Sequence, residues 1–311
     1  MKLLKGMSPL YYGGTGGNHF MGSERDFVLK DYKKNFYQPI MLEAIAYFKN
    51  NGISWWGGKN PTGHILSSQI ACINHLYPIR NDKEAVLGLL RIISPDFVDV
   101  LQISTDKQDM GYIQFESVSD YDYLNEGQST RGSNCTSVDA LIYAVHKNGS
   151  NWLIPIEWKY TEHYSNMNKA DEGCKKDPQN CKGKVRRSRY TDLINGSDQL
   201  KGNDHYCYYF EPFYQLMRQT LWAEQMVRNK TNETIKADDY LHVHVIPSEN
   251  KDLLTKKYKC SNLGMEETWR EHLVAQKKYK IISPYDLLSS IVDEGYDDLF
   301  TYLNGRYWNG S

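Results

Sequence analysis

Apolar positions along this chain fall into helical and strand periods, and glycine, proline and asparagine mark the breaks between them. Residues 1–22 are Gly-rich and irregular. Ser23 stands as an N-cap with Asp26 three residues on, which predicts a helix over 24–30. A helical pattern resumes after Pro39 and runs through Phe48, before the breaker Asn50-Asn51-Gly52. A short helix is predicted over 64–76, ended by Pro78. Asn81 then caps a helix over 82–93, where Ala85, Leu87, Leu90 and Ile93 fall near helical spacing and Pro95 stops it.

Strand patterns follow. Residues 97–103 are rich in Val and Ile. Over 111–118, Tyr112, Gln114 and Glu116 alternate with Ile113, Phe115 and Ser117. Two further strands are predicted over 136–145 and 152–160, and the Lys147-Asn148-Gly149-Ser150 turn is short enough for antiparallel pairing. Residues 125–134 read as a polar loop and 162–189 as a long polar insertion. A helix over 211–228 has Pro212 in its first turn. Strands are expected over 242–246 and 278–282, and Ser283-Pro284 opens a last helix as cap and N1. Helices and strands neither alternate strictly nor segregate, so the expected architecture is a mixed sheet flanked by helices, α/β or α+β. No repeat and no linker interrupts it. The chain is therefore read as one domain over 1–311, with a core at about 64–247, an N-terminal helical extension 1–63 and a C-terminal extension 248–311.

Composition narrows the function. With 40% hydrophobic and 24% charged residues in 311, the chain can bury a large core. A formal charge of −1 excludes a global attraction to nucleic acid and leaves local patches such as Lys182, Lys184, Arg186, Arg187 and Arg189, a run that by itself is an ordinary solvated face. The 24 tyrosines and 7 tryptophans suit a core with wet edges, or a surface that meets planar partners. No segment has the length of a membrane span or the character of a signal peptide, which points to a cytoplasmic protein with no membrane partner. The six cysteines are then expected as free thiols, with Cys174 and Cys181 in a plain loop. His163, His205, His242 and His244 show no metal-ligand spacing.

The chemistry concentrates at the 136–160 hairpin. Residues two apart on a strand face one side, so Glu157 and Lys159 point together while Trp158 points away. Leu153, Ile154 and Ile156 precede them, so these charges end an apolar strand. Asp139 interrupts the neighbouring apolar strand, where a carboxylate is costly unless paired or metal-bound. Two carboxylates suit a hard cation, Mg²⁺ or Mn²⁺, and a lysine beside them offsets charge developing on a phosphate. An exposed Glu-x-Lys pair of no consequence is the bland alternative.

Asp139 followed by Ile156-Glu157-Trp158-Lys159 on the next strand resembles the bipartite motif of the PD-(D/E)xK nuclease superfamily, the restriction-endonuclease-like fold. Three stretches are similar to uncharacterised bacterial members described as restriction endonucleases: residues 66–78, around Ser67-Ser68-Gln69, 157–162, from Glu157 to Glu162, and 209–219, around Glu211-Pro212 and Gln215. The resemblance implies a central mixed four-stranded sheet flanked by helices, with helical additions at both termini. It implies Asp139 and Glu157 as metal ligands, Lys159 as the catalytic lysine, and a Mg-dependent endonuclease-like phosphodiesterase acting on nucleic acid, with DNA favoured. It is compatible with a homodimer, since many such enzymes work as dimers. Val138 replaces the motif's proline. Gln69 stands near the place where many members supply a helix glutamate, with Glu84, Glu116 and Glu126 as other sources. Gln69, Tyr160, Gln215 and Arg218 are secondary site candidates. Lys159→Ala is expected to abolish cleavage with the fold intact. The competing readings are an inactive nucleic-acid-binding protein that keeps the fold and, more weakly, a two-carboxylate glycosidase.

Overall fold

The hairpin at 138–158 forms the middle of the sheet. A computed structural model of the protein describes residues 16–56, 58, 60–104, 109–127, 135–202, 207–291 and 295–308. Most of the expected 125–134 loop and of the Gly-rich start, together with His205, lies outside the described residues. Strands β1 (Phe97–Leu101), β2 (Ile113–Ser117), β3 (Val138–His146), β4 (Asn151–Trp158), β5 (Asp239–Tyr240), β6 (His242–Val245) and β7 (Tyr279–Ile282) make one seven-stranded sheet. Its spine is β7-β6-β4-β3-β1, with β2 on β3 and β5 on β4. The β1, β2 and β4 pairings with β3 are antiparallel; those of β4 with β5 and β6, and of β6 with β7, are parallel.

The expected four strands are thus seven. β1 and β2 share one edge of β3, separated by an excursion that holds a small Ile103–Ser104/Met110–Gly111 ladder. β5 and β6 share one edge of β4, separated at Leu241, whose N–H still bonds the Leu153 carbonyl. β7 then extends the sheet by one row beyond β6.

Alternation decides what each face buries. Ala140, Ile142, Ala144, Ile154, Ile156 and Trp158 face one core with helices α1 (Met41–Asn50), α2 (Ser68–Leu76) and α3 (Lys83–Ile93) and the C-terminal helices. Leu141 and Leu153 face a second core with α4 (Lys182–Asn195) and α5 (Phe213–Arg228). The remaining helices are α6 (Lys251–Leu254), α7 (Met265–Glu271), α8 (Pro284–Leu288) and α9 (Asp297–Leu303). None among the described residues is long and apolar enough to cross a membrane.

Several local expectations are corrected. Ser23–Arg25 is a strand paired with Asn18–Phe20, so Ser23 caps no helix. Asp82, and not Asn81, caps α3, its carboxylate accepting the Glu84 and Ala85 N–H groups. The polar insertion ends in α4, a helix that buries only Gly183, Tyr190 and Ile194. Four of the thiols expected to be free are paired: Cys174 with Cys181 and Cys207 with Cys260. Their Cα atoms lie 4.8 Å and 5.3 Å apart, within reach of a disulfide: the insertion folds back on itself before α4 to bring the first pair together, and the second joins the segment before α5 to the segment between α6 and α7.

Candidate functional site

The β3–β4 ladder runs from Val145 opposite Asn151 to Ala140 opposite Ile156. One step further the pairing changes character: Asp139 Oδ2 accepts the Trp158 N–H at 2.7 Å. The carboxylate thus meets the backbone between Glu157 and Lys159, at the C-terminal end of β4. Trp158 turns the other way into the α1–α3 core, against His75. Lys159 N–H bonds the Val245 carbonyl at 2.8 Å, which prolongs the β4–β6 pairing through the lysine and fixes its direction.

Glu157 and Lys159 are 2% and 5% exposed. Lys159 Nζ donates to Glu157 Oε1 at 2.5 Å and to Gln215 Oε1 at 2.6 Å. Gln219, one turn along α5 from Gln215, donates to the other Glu157 oxygen and to the Ser137 carbonyl. Burial works against the Lys159 ammonium, but Glu157 and neighbouring acids outweigh it and hold its pKa well above the usual value.

Glu116 enters from β2. Gln69 donates to Glu116 Oε1 at 2.7 Å and Ser137 Oγ to Glu116 Oε2 at 2.9 Å. Its φ of 48° lies in the left-handed region that non-glycine residues adopt at a cost. Burial first, then the Glu157 and Glu116 carboxylates, push the Asp139 carboxyl well above its ordinary range. The same three acids add to burial in raising the Cys72 thiol beneath them on α2. Glu157, Glu162 and Asp139 thus act on one ammonium and Glu116 crowds Asp139, an excess of negative charge that a divalent cation fits. Among the described residues no three His, Cys, Asp or Glu side chains group closely enough to hold an ion by themselves. Asp139 and Glu157 would therefore share it with water.

The site opens into a cavity of 460 Å³. Asp139, Glu116, Lys159, Gln69 and Gln215 line it, with Ser67 and Ser68 from the start of α2, Glu162 and Tyr164 from the chain after β4, and Trp56, His64 and Leu66 at one side. Of the sequence candidates, Asp139, Glu157, Lys159, Gln69, Gln215 and Glu116 are brought together. Tyr160 is not: its ring packs in the α1–α3 core against Tyr307, at 5.2 Å. Arg218 turns from the cavity to Glu126 at 3.8 Å, under the Tyr214 ring. Glu126 also accepts from Thr136 and Tyr190, so it serves as a clamp between the β3 approach, α4 and α5. Glu84 sits in the exposed first turn of α3. Gln219, four residues from Gln215 on the same largely apolar helix and legible with it in the sequence, also joins the site through Glu157. Tyr164, whose ring lies 5.8 Å from Lys159 Nζ, carries no such signal.

No curated protein and no solved structure matches the chain. A family model described as restriction endonuclease associating with ARP matches residues 8–308, nearly the whole length. The chain belongs to this family of restriction endonucleases associating with ARP.

Proposed function

We propose that the protein is a Mg²⁺- or Mn²⁺-dependent nuclease of the PD-(D/E)xK type that hydrolyses phosphodiester bonds in DNA. The observation that carries this reading is the Asp139–Trp158 hydrogen bond, which brings one acid to the backbone between Glu157 and Lys159 at the end of a cavity. Family membership supports nuclease chemistry and a nucleic-acid substrate.

Asp139 and Glu157 would hold the ion, which when bound polarises a phosphate oxygen and acidifies water. Each residue around them has a defined task. Lys159, kept protonated, offsets negative charge developing on the phosphate and orients the attacking water. Gln215 holds its Nζ at the cavity side. Gln219 fixes the second Glu157 oxygen, so that the carboxylate keeps one orientation. The first turn of α2 also lines the cavity and brings the positive end of a helix to the anion.

The test is cleavage of supercoiled plasmid with Mg²⁺, with Mn²⁺ and with chelator, in parallel with a structured RNA. Wild type is expected to cut DNA only with a divalent ion, and Asp139→Asn and Lys159→Ala to cut about a hundred- to a thousandfold more slowly, on the order of removing one transition-state donor. Salt-sensitive DNA binding without cleavage under any ion would replace this reading with an inactive binding protein. Equal cutting by both variants would remove these residues from the mechanism.

A further inference from the structure

The cavity that holds Asp139 and Lys159 is not acidic throughout. At one side it is walled by Trp56 and His64, which belong to an aromatic cluster with Phe20 and Phe27. Trp56 is 44% exposed, yet it is held firmly. Phe20 lies against its ring at 5.1 Å and His64 meets it edge-on at 5.5 Å. Its backbone N–H donates to Gln69 Oε1 at 3.0 Å, and the same glutamine's amide holds Glu116 in the site. The preceding residue explains the outward turn: Trp55 is buried and stacked on Phe48 at 3.9 Å, which commits Trp56 to the other side. Burial lowers the His64 pKa, so this wall presents neutral rings and no cation for a phosphate.

A supported, half-exposed indole at the mouth of a catalytic cavity has a natural occupant. Every nucleobase has a π-face, and stacking on an aromatic side chain is tolerant of sequence. The volume of 460 Å³ suits one nucleotide-sized group. A base inside a duplex is already stacked and paired, and reaches such a wall only from a single strand or after leaving its stack. We infer that Trp56 is a stacking platform for one unpaired base of the substrate strand, and that the enzyme acts on single-stranded or locally opened DNA. This rests on the nuclease reading for its substrate.

The experiment measures binding by fluorescence anisotropy in chelator, so cleavage plays no part. The probes are a labelled 12-nucleotide DNA strand, the same strand with one abasic residue placed at each position in turn, and the fully paired duplex. Wild type is expected to prefer the single strand over the duplex and to lose about tenfold in affinity at one abasic position, within the range for one stacked base. Trp56→Ala should lose the same factor on the intact strand and nothing further on that abasic strand. Trp56→Phe, which keeps a π-face, should retain most of the affinity. Trp56→Met, which keeps bulk without one, should behave like the alanine variant. Unchanged binding by Trp56→Ala, multiplicative losses, or equal binding of duplex and single strand would overturn the inference. A protein that binds through Trp56 but never cuts keeps the platform and loses the nuclease reading; one that cuts with no Trp56 coupling does the reverse.

Discussion

Lys159 Nζ lies 2.5 Å from Glu157 Oε1, and both side chains are almost wholly buried, at 6% and 2% exposed. A pair in that position resists separate removal. Truncating one partner leaves the other as an uncompensated buried charge, which costs about 3–5 kcal/mol. Lys159→Ala is therefore expected to melt earlier as well as to lose cleavage, in contrast to the intact fold expected from sequence alone. The Glu157→Ala/Lys159→Ala double variant should regain much of the lost stability and none of the activity. Denaturant unfolding of the two single variants and the double closes the cycle, and additive losses would show that the pair is not coupled.

Asp139 responds in the opposite direction. Its carboxyl is crowded by Glu157 and Glu116 in a desolvated site. Asparagine keeps an oxygen for the Trp158 N–H and removes the charge. Without metal, Asp139→Asn is expected to be at least as stable as wild type, by about 1 kcal/mol, because a crowded charge is gone. Added Mg²⁺ should raise the melting temperature of wild type and leave the variant's unchanged. A variant that melts well below wild type in chelator would contradict the charge argument.

The hairpin was legible because its cost was legible: Asp139, Glu157 and Lys159 interrupt apolar strands, and a charge there needs a partner. The period of two also placed Trp158 away from the acids correctly. Helix α4 was not legible, because it buries too few residues to show an apolar stripe. The strand at Ser23–Arg25 is three residues long and exists only by pairing with Asn18–Phe20, while its local sequence imitates a helix cap. Six of the seven strands lie on segments whose pattern predicts them, and the count of four came from the resemblance; β5 escaped because it is two residues long and its break from β6 at Leu241 is set by tertiary pairing. The sequence offers Glu116 as one of several further acids, but the left-handed backbone turn in β2 that brings it into the site is announced by no period.

The disulfides make a graded prediction. The Cys207–Cys260 link closes a separation of 53 residues and Cys174–Cys181 one of 7. In the chain-entropy account the longer loop stabilises more, about 4 against about 2.5 kcal/mol. Cys207→Ser/Cys260→Ser should therefore lower stability more than Cys174→Ser/Cys181→Ser. Peptide mapping without reductant should recover both linked pairs, and four alkylated cysteines at these positions would refute the pairing.

Acid stability turns on buried histidines. Burial lowers both His242 and His75 to about 3 from an ordinary value of 6.5. The unfolded chain then takes up these protons first. Their stabilising contribution is complete above about pH 6.5 and falls as pH drops toward 3, by about 1.4 kcal/mol per pH unit for each histidine. His242 is the cleaner probe, because neither ring nitrogen has a hydrogen-bond partner, whereas His75 Nδ1 bonds the Ala71 carbonyl at 2.7 Å. His242→Leu removes the titration and leaves no hydrogen-bond partner stranded. Its unfolding free energy, from urea melts between pH 7 and pH 4, should fall less steeply with acid than that of wild type, by one proton's worth of slope. Carboxylates contribute equally to both proteins, so parallel curves would mean that His242 is already charged in the folded state.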